Sequence, residues 1–158
     1  MPLLRFLMLL SLIVWLGGLI FFSFVLAPTV FTVLPTRHLA GSVVSPSLGK
    51  LHWMGLVSGI VFLASSMLHA RLSTGSAHPL AARHFLLFIM LALTVISQFV
   101  ISPRMAALRN SMGVIDDVSM TDPARIQFNA LHVWSTRLEG GVFLLGLIVV
   151  YLTAKQRT

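Results

Sequence analysis

Apolar residues run through this chain in four long blocks, each about the length needed to cross a hydrocarbon slab. A helix crossing ~30 Å needs about 20 mostly apolar residues at ~1.5 Å rise each. The first block covers 3–27 and is broken only by Arg5; the second covers 51–72 and contains Gly55, Gly59, Ser65 and Ser66. The third covers 83–103, with Gln98 its most polar interior residue, and the fourth covers 137–154, ahead of Lys155, Gln156 and Arg157. Polar markers bound these blocks independently: Arg5 to Pro28 is 23 steps, His52 to Arg71 is 19, Arg83 to Pro103 is 20 and Arg137 to Lys155 is 18. As helix these are roughly 27–35 Å, so one slab thickness fits all four. The pattern predicts an all-α fold, a four-helix transmembrane bundle in a single integral membrane domain over 1–158. The apolar core of the first block exceeds that of a signal peptide and no small-x-small cleavage site follows, so it is expected to be a retained span.

The chain also repeats itself. Phe24, Val25, Leu26, Ala27 and Pro28 close the first block, and Phe99, Val100, Ile101, Ser102 and Pro103 close the third, offset by 75. Leu51, His52 and Trp53 open the second, and Leu131, His132, Val133 and Trp134 open the fourth, with the histidines offset by 80. The predicted unit is a two-helix hairpin, used twice in the same direction and related by a pseudo-twofold axis along the membrane normal. Extra helix is expected on the side of the two longer connections. An apolar run follows Pro28 as far as Pro35, and an amphipathic stretch with Met105, Leu108 and Met112 on one face follows Pro103. Asp122–Pro123 is a helix-start signal for the fourth helix, and Ser45–Pro46 is the corresponding signal for the second.

Composition sharpens this picture. Apolar residues make up 57% of the chain and charged residues 9%, against about 25% charged in soluble domains. The 11 Lys+Arg exceed the 4 Asp+Glu by 7 and lie on both membrane faces, which fits anionic headgroups and not nucleic acid. The absence of cysteine excludes disulfides, thiolate metal sites and cysteine nucleophiles. Setting aside Arg137 at the edge of the fourth span, basic residues divide five to five between the two sides; Arg5 before the first span and Lys155 and Arg157 after the last favour cytoplasmic termini in a bacterial inner membrane.

Few residues offer chemistry. Gly55 and Gly59 form a small-xxx-small pair for close helix approach, and Gly17, Gly18, Gly140 and Gly141 are expected to pack in the same way. The repeat relates His52 to His132, whose imidazoles suit haem or copper. Their position near the slab boundary beside Trp53 and Trp134 favours interfacial anchoring instead. His132, Ser135 and Glu139 share one helix face. Glu139 is the only glutamate and lies inside the slab, where an ionisable group is a functional candidate. Arg137 is two residues away and faces elsewhere, so any partner of Glu139 must come from another helix. His69, His78 and His84 are expected to be solvated near the short 72–82 connection. No phosphate loop, zinc motif or nucleophile–base–acid set is present.

Trp15 to Gly18, Phe21 to Pro28, the run Ser97 to Arg104 and the stretch Phe128 to Glu139 resemble the transmembrane protein 205-like family, known in bacteria as domain of unknown function 4149. The resemblance implies a small four-helix membrane protein without an established activity. A eukaryotic relative linked with platinum-drug resistance hints at efflux or trafficking. The layout is more distantly similar to copper-resistance protein D and to haem-dependent protoporphyrinogen oxidase, which use histidines within their spans. The function expected is a non-enzymatic structural, accessory or export-related membrane protein without a cofactor. Its partners would be the lipid bilayer and a second copy or another membrane subunit. The alternative is a haem- or metal-binding redox protein built on His52 and His132.

Overall fold

The computed structural model describes residues 2–74 and 82–155. Four long helices account for nearly all of them: α1 (Pro2–Val33), α2 (Arg37–Thr74), α3 (Ala82–Met112) and α4 (Pro123–Lys155). Each contains a window long and apolar enough to cross a membrane. In hydrocarbon every backbone N–H and C=O needs a partner within the protein, which a continuous helix supplies. At 33 residues α4 is about 50 Å long, so it passes well beyond a ~30 Å slab. Packing is densest within the pairs α1–α2 and α3–α4, so the fold is a four-helix transmembrane bundle of two helical hairpins.

Both odd-numbered helices run straight through the prolines that seemed to close the first and third spans. A proline lacks an N–H and its ring clashes with the carbonyl four residues earlier. The chain answers with one π-helical stretch before each, at Phe22–Leu26 and Ser97–Ile101, where Ala27 N–H donates to the Phe22 carbonyl and Ser102 N–H to that of Ser97. The two stretches are offset by 75, as the repeat requires. After the prolines the helices continue to Val33 and Met112.

The starts of the even-numbered helices differ from each other. Asp122 caps α4 as expected, its Oδ1 accepting from the N–H of Ala124 at 2.8 Å and of Arg125 at 3.3 Å. The second helix, however, begins at Arg37 and not at Ser45–Pro46. Thr36 Oγ1 accepts from Leu39 N–H, and the Asp116 carboxylate accepts from the N–H groups of Arg37 and His38. Pro46 therefore sits within α2, in its exposed stretch outside the apolar block, where water can satisfy the carbonyl that loses its donor. Asp116 comes from the α3–α4 connection, so a cap assembled in three dimensions overrode the local signal.

The bundle core is Met8, Leu12, Trp15, Leu16, Leu19, Leu51, Phe62, Leu87, Met90, Val142 and Val149, all buried. Small residues set the helix approach at particular points only. A Cβ on Gly55 would run into the buried Trp15 ring. On Gly59 it would lie 2.6 Å from Leu91 Cδ2 and 2.9 Å from Trp15, and on Gly18 2.5 Å from Met54 and 2.8 Å from Leu51. Gly146, which the sequence reading missed, is closed by Leu16 and Met90. Gly17 and Gly140 face open space and Gly141 makes ordinary contact with Leu93, so close approach does not explain these three. Gly55→Leu is therefore expected to destabilise the bundle by about 1–3 kcal/mol, while Gly140→Leu changes it little, measured as thermal unfolding of both variants in mild detergent.

Candidate functional site

The polar residues that hydropathy left scattered along three helices meet at one point. His52 on α2 is 2% exposed, although the sequence reading placed it at the membrane boundary. Its neighbour Trp53 is 53% exposed, so the tryptophan faces outward and the histidine points into the bundle. His52 Nε2 lies 2.6 Å from Glu139 Oε1 on α4, and His52 Nδ1 lies 2.8 Å from Gln98 Oε1 on α3. Ser97 Oγ, one residue before Gln98 in the π-helical stretch, donates to the same Glu139 oxygen at 3.4 Å. The wider π turn thus sets both polar side chains of its Ser-Gln pair on the acid–imidazole pair, a use of π-bulges common at functional sites.

Both ring nitrogens of His52 stand at hydrogen-bond distance from a side chain of another helix, Nδ1 from Gln98 and Nε2 from Glu139. Imidazole and carboxyl are thus each other's partners in a low-dielectric site, where leaving either one unpaired would be far more costly.

Above this pair is a cavity of about 650 Å³, extending from the α1–α2 and α3–α4 connections down to Glu139. His132, Ser135 and Glu139 all line it, the single helix face that their spacing predicted. His132 does not meet His52. It stands on the cavity wall while His52 is sealed behind Glu139, and both ring nitrogens of His52 are already hydrogen-bonded. Ligation at His52 would have to displace Gln98 or Glu139. Among the described residues no group of three or more His, Asp or Glu is placed to hold a metal ion. Arg137 turns away, its guanidinium 5.4 Å from the Trp134 ring centre, and takes no part in holding Glu139.

The repeat places different residues at the matching positions of the two halves. By the 75 and 80 offsets Gln98 corresponds to Ser23, His52 to His132 and Glu139 to Gly59. Ser23 and His132 face the cavity, but Gly59 carries no side chain and Trp15 and Leu91 close over it.

Of the other histidines expected near solvent, His84 is buried at 1% exposure with its Nε2 2.7 Å from Ser66 Oγ. His69 accepts from Arg5 Nε at 3.2 Å in an exposed position, and His78 lies outside the described residues. Sequence reasoning missed Ser97 and Arg125 as site residues. In the sequence Gln98 stands out only as the most polar residue of its span, and Arg109 is not singled out there. Gln98 as the most polar residue of an apolar span was the one usable signal.

These features define an integral membrane protein with a polar cluster of His52, Ser97, Gln98 and Glu139 at the foot of a partly open cavity. The family model described as domain of unknown function (DUF4149) matches residues 10–113, and the chain belongs to that family. The match covers His52, Ser97 and Gln98 and ends before α4, which supplies Glu139. No curated protein and no solved structure matches the chain.

Removing Glu139 leaves an imidazole nitrogen of His52 without its buried partner. Glu139→Ala is expected to cost about 1–3 kcal/mol of stability. A His52→Leu/Glu139→Leu double variant should lose less than the sum of its two single variants, as read from a double-mutant cycle of unfolding in detergent.

Proposed function

We propose that this protein is a non-enzymatic, export-related membrane protein in which the cavity receives the cargo and the His52–Glu139 pair exchanges a proton at its foot. The observation that carries this reading is the pair itself. An ionisable group at membrane depth is costly, and here it sits where a cavity that begins outside the slab comes to an end. The other polar groups of the cluster are bonded to the pair, Gln98 to His52 and Ser97 to Glu139, an arrangement suited to holding a proton more than to attacking a substrate. The likeness of Trp15–Gly18 and Ser97–Arg104 to the transmembrane protein 205-like family supports the same direction. Below the pair, Phe62, Leu87, Met90, Val142 and Val149 form a dry core. Passage would therefore need a rearrangement, and with only four helices for walls we place it in a homo-oligomer. The membrane would be the bacterial inner membrane with cytoplasmic termini; an active alkaline phosphatase fused after the last residue would contradict that orientation.

The test is a deletion strain challenged with a panel of amphipathic compounds and copper, complemented by plasmid-borne variants at equal expression. Wild type is expected to restore tolerance or efflux, while Glu139→Gln, which keeps the shape and removes the titrating carboxyl, is expected to fail. Full complementation by Glu139→Gln would overturn the proton-exchange role. A Soret band or stoichiometric copper in the purified protein would instead favour a redox protein using His52 and His132.

A further inference from the structure

The walls of the cavity say what chemistry it takes. Arg37, Arg109 and Arg125 all line it, and among the described residues none of the three has a carboxylate partner. Of the neighbouring acids, the Asp116 carboxylate caps α2, Asp122 caps α4, and Glu139, the only acid on the cavity wall, is held by His52; Asp117, next to the Ile115–Val118 turn, forms no salt bridge with any of the three arginines among the described residues. Arg125 is 6% exposed. Its Nη1 donates to the carbonyls of Ile115 and Val118, while its buried Nε has no hydrogen-bond partner. Arg109 is half-buried, donates to the Gly41 carbonyl at 2.7 Å and lies 5.6 Å from the Phe128 ring centre. An arginine without an acid, buried against carbonyls and an aromatic ring, is an electrostatic demand that a ligand can meet. The remaining wall is mixed: Phe22, Phe31, Leu48 and Met105 give it an apolar part, beside polar side chains such as Asn129 and His132. A space of about 650 Å³ lies within the ~300–1,000 Å³ range of sites that enclose one small molecule.

We infer that the cavity binds an amphiphile with an anionic phosphate or carboxylate headgroup, the headgroup between Arg37, Arg109 and Arg125 and the hydrocarbon against Phe22, Phe31 and Leu48. This rests on the reading of the cavity as the cargo site and names the cargo's class. The tail supplies apolar burial, and the headgroup supplies the charge that the wall lacks. Free phosphate offers only the second of these. A bilayer lipid and a free single-chain amphiphile share the required chemistry.

The experiment uses the full chain purified in an uncharged maltoside detergent. It measures binding of dodecyl phosphate, dodecyltrimethylammonium and inorganic phosphate by thermal shift and by calorimetry. Saturable stabilisation by dodecyl phosphate alone is expected, weakened by added salt. Arg109→Gln should weaken it about tenfold, the loss of one charge-assisted hydrogen bond. Because Arg109 also braces Gly41, two further variants serve as controls. Arg37→Gln changes an exposed side chain and should weaken binding roughly threefold, and Ala27→Phe should block the tail wall while leaving every arginine in place. Equal stabilisation by inorganic phosphate, equal binding of the cationic amphiphile, or unchanged affinity in both Arg37→Gln and Ala27→Phe would overturn the inference. Repeating the titration in nanodiscs, with a two-chain phosphatidic acid competing against dodecyl phosphate, separates a bilayer source from a free one; competition assigns the site to the lipid. Binding is read on the wild-type chain, so dodecyl phosphate binding there together with full cellular complementation by Glu139→Gln removes the proton-exchange reading and leaves the ligand assignment standing.

Discussion

A carboxyl group half-way along a 33-residue membrane helix has to be neutralised inside the protein, and much of this structure follows from how that is done. Glu139 cannot reach water on the lipid side without a large penalty, and its sequence neighbour Arg137 points to another face. The partner comes from the other hairpin. His52 on α2 reaches α4, and Gln98 and Ser97 on α3 complete the set. The contact between acid and imidazole ties the two hairpins together. It also marks the level at which the cavity stops and the dry core begins.

The two proline-linked π turns are the second constraint. Each proline removes one backbone hydrogen bond, and in hydrocarbon that bond must be replaced within the helix. Widening one turn does so and re-aims the side chains it contains. In α1 the turn faces Ser23 to the cavity; in α3 it carries Ser97 and Gln98 to the His–Glu pair. The repeat therefore uses one backbone device twice, once on the cavity wall and once in the polar cluster, while the counterpart of Glu139 is Gly59, closed over by Trp15 and Leu91.

Charge is distributed to match. Two of the four acids are spent on capping α2 and α4, and a third on His52. Guanidiniums are then left facing a cavity whose wall mixes aromatic and aliphatic side chains with serine, asparagine and histidine. The same connection that brings Asp116 to the start of α2 brings Ile115 and Val118 to Arg125, so capping of one helix and placement of the buried arginine are a single packing event.

The sequence by itself determined the four spans, the doubled hairpin, the helix extension beyond the slab and the shared face of His132, Ser135 and Glu139. Each depends on local periodicity or on the hydrogen-bonding demand of the backbone in lipid. The tertiary structure alone decided which apolar face is core. Lipid is as apolar as a leucine-rich interior, so hydropathy cannot separate Trp15, at 2% exposure, from Trp53, at 53%. The same ambiguity hid the inward turn of His52 and His84, the idle faces of Gly17 and Gly140, and the contact of Gly146 with Leu16. The start of α2 at Arg37 was hidden for a different reason, since its cap, Asp116, lies 79 residues away in the chain and becomes a neighbour only on folding.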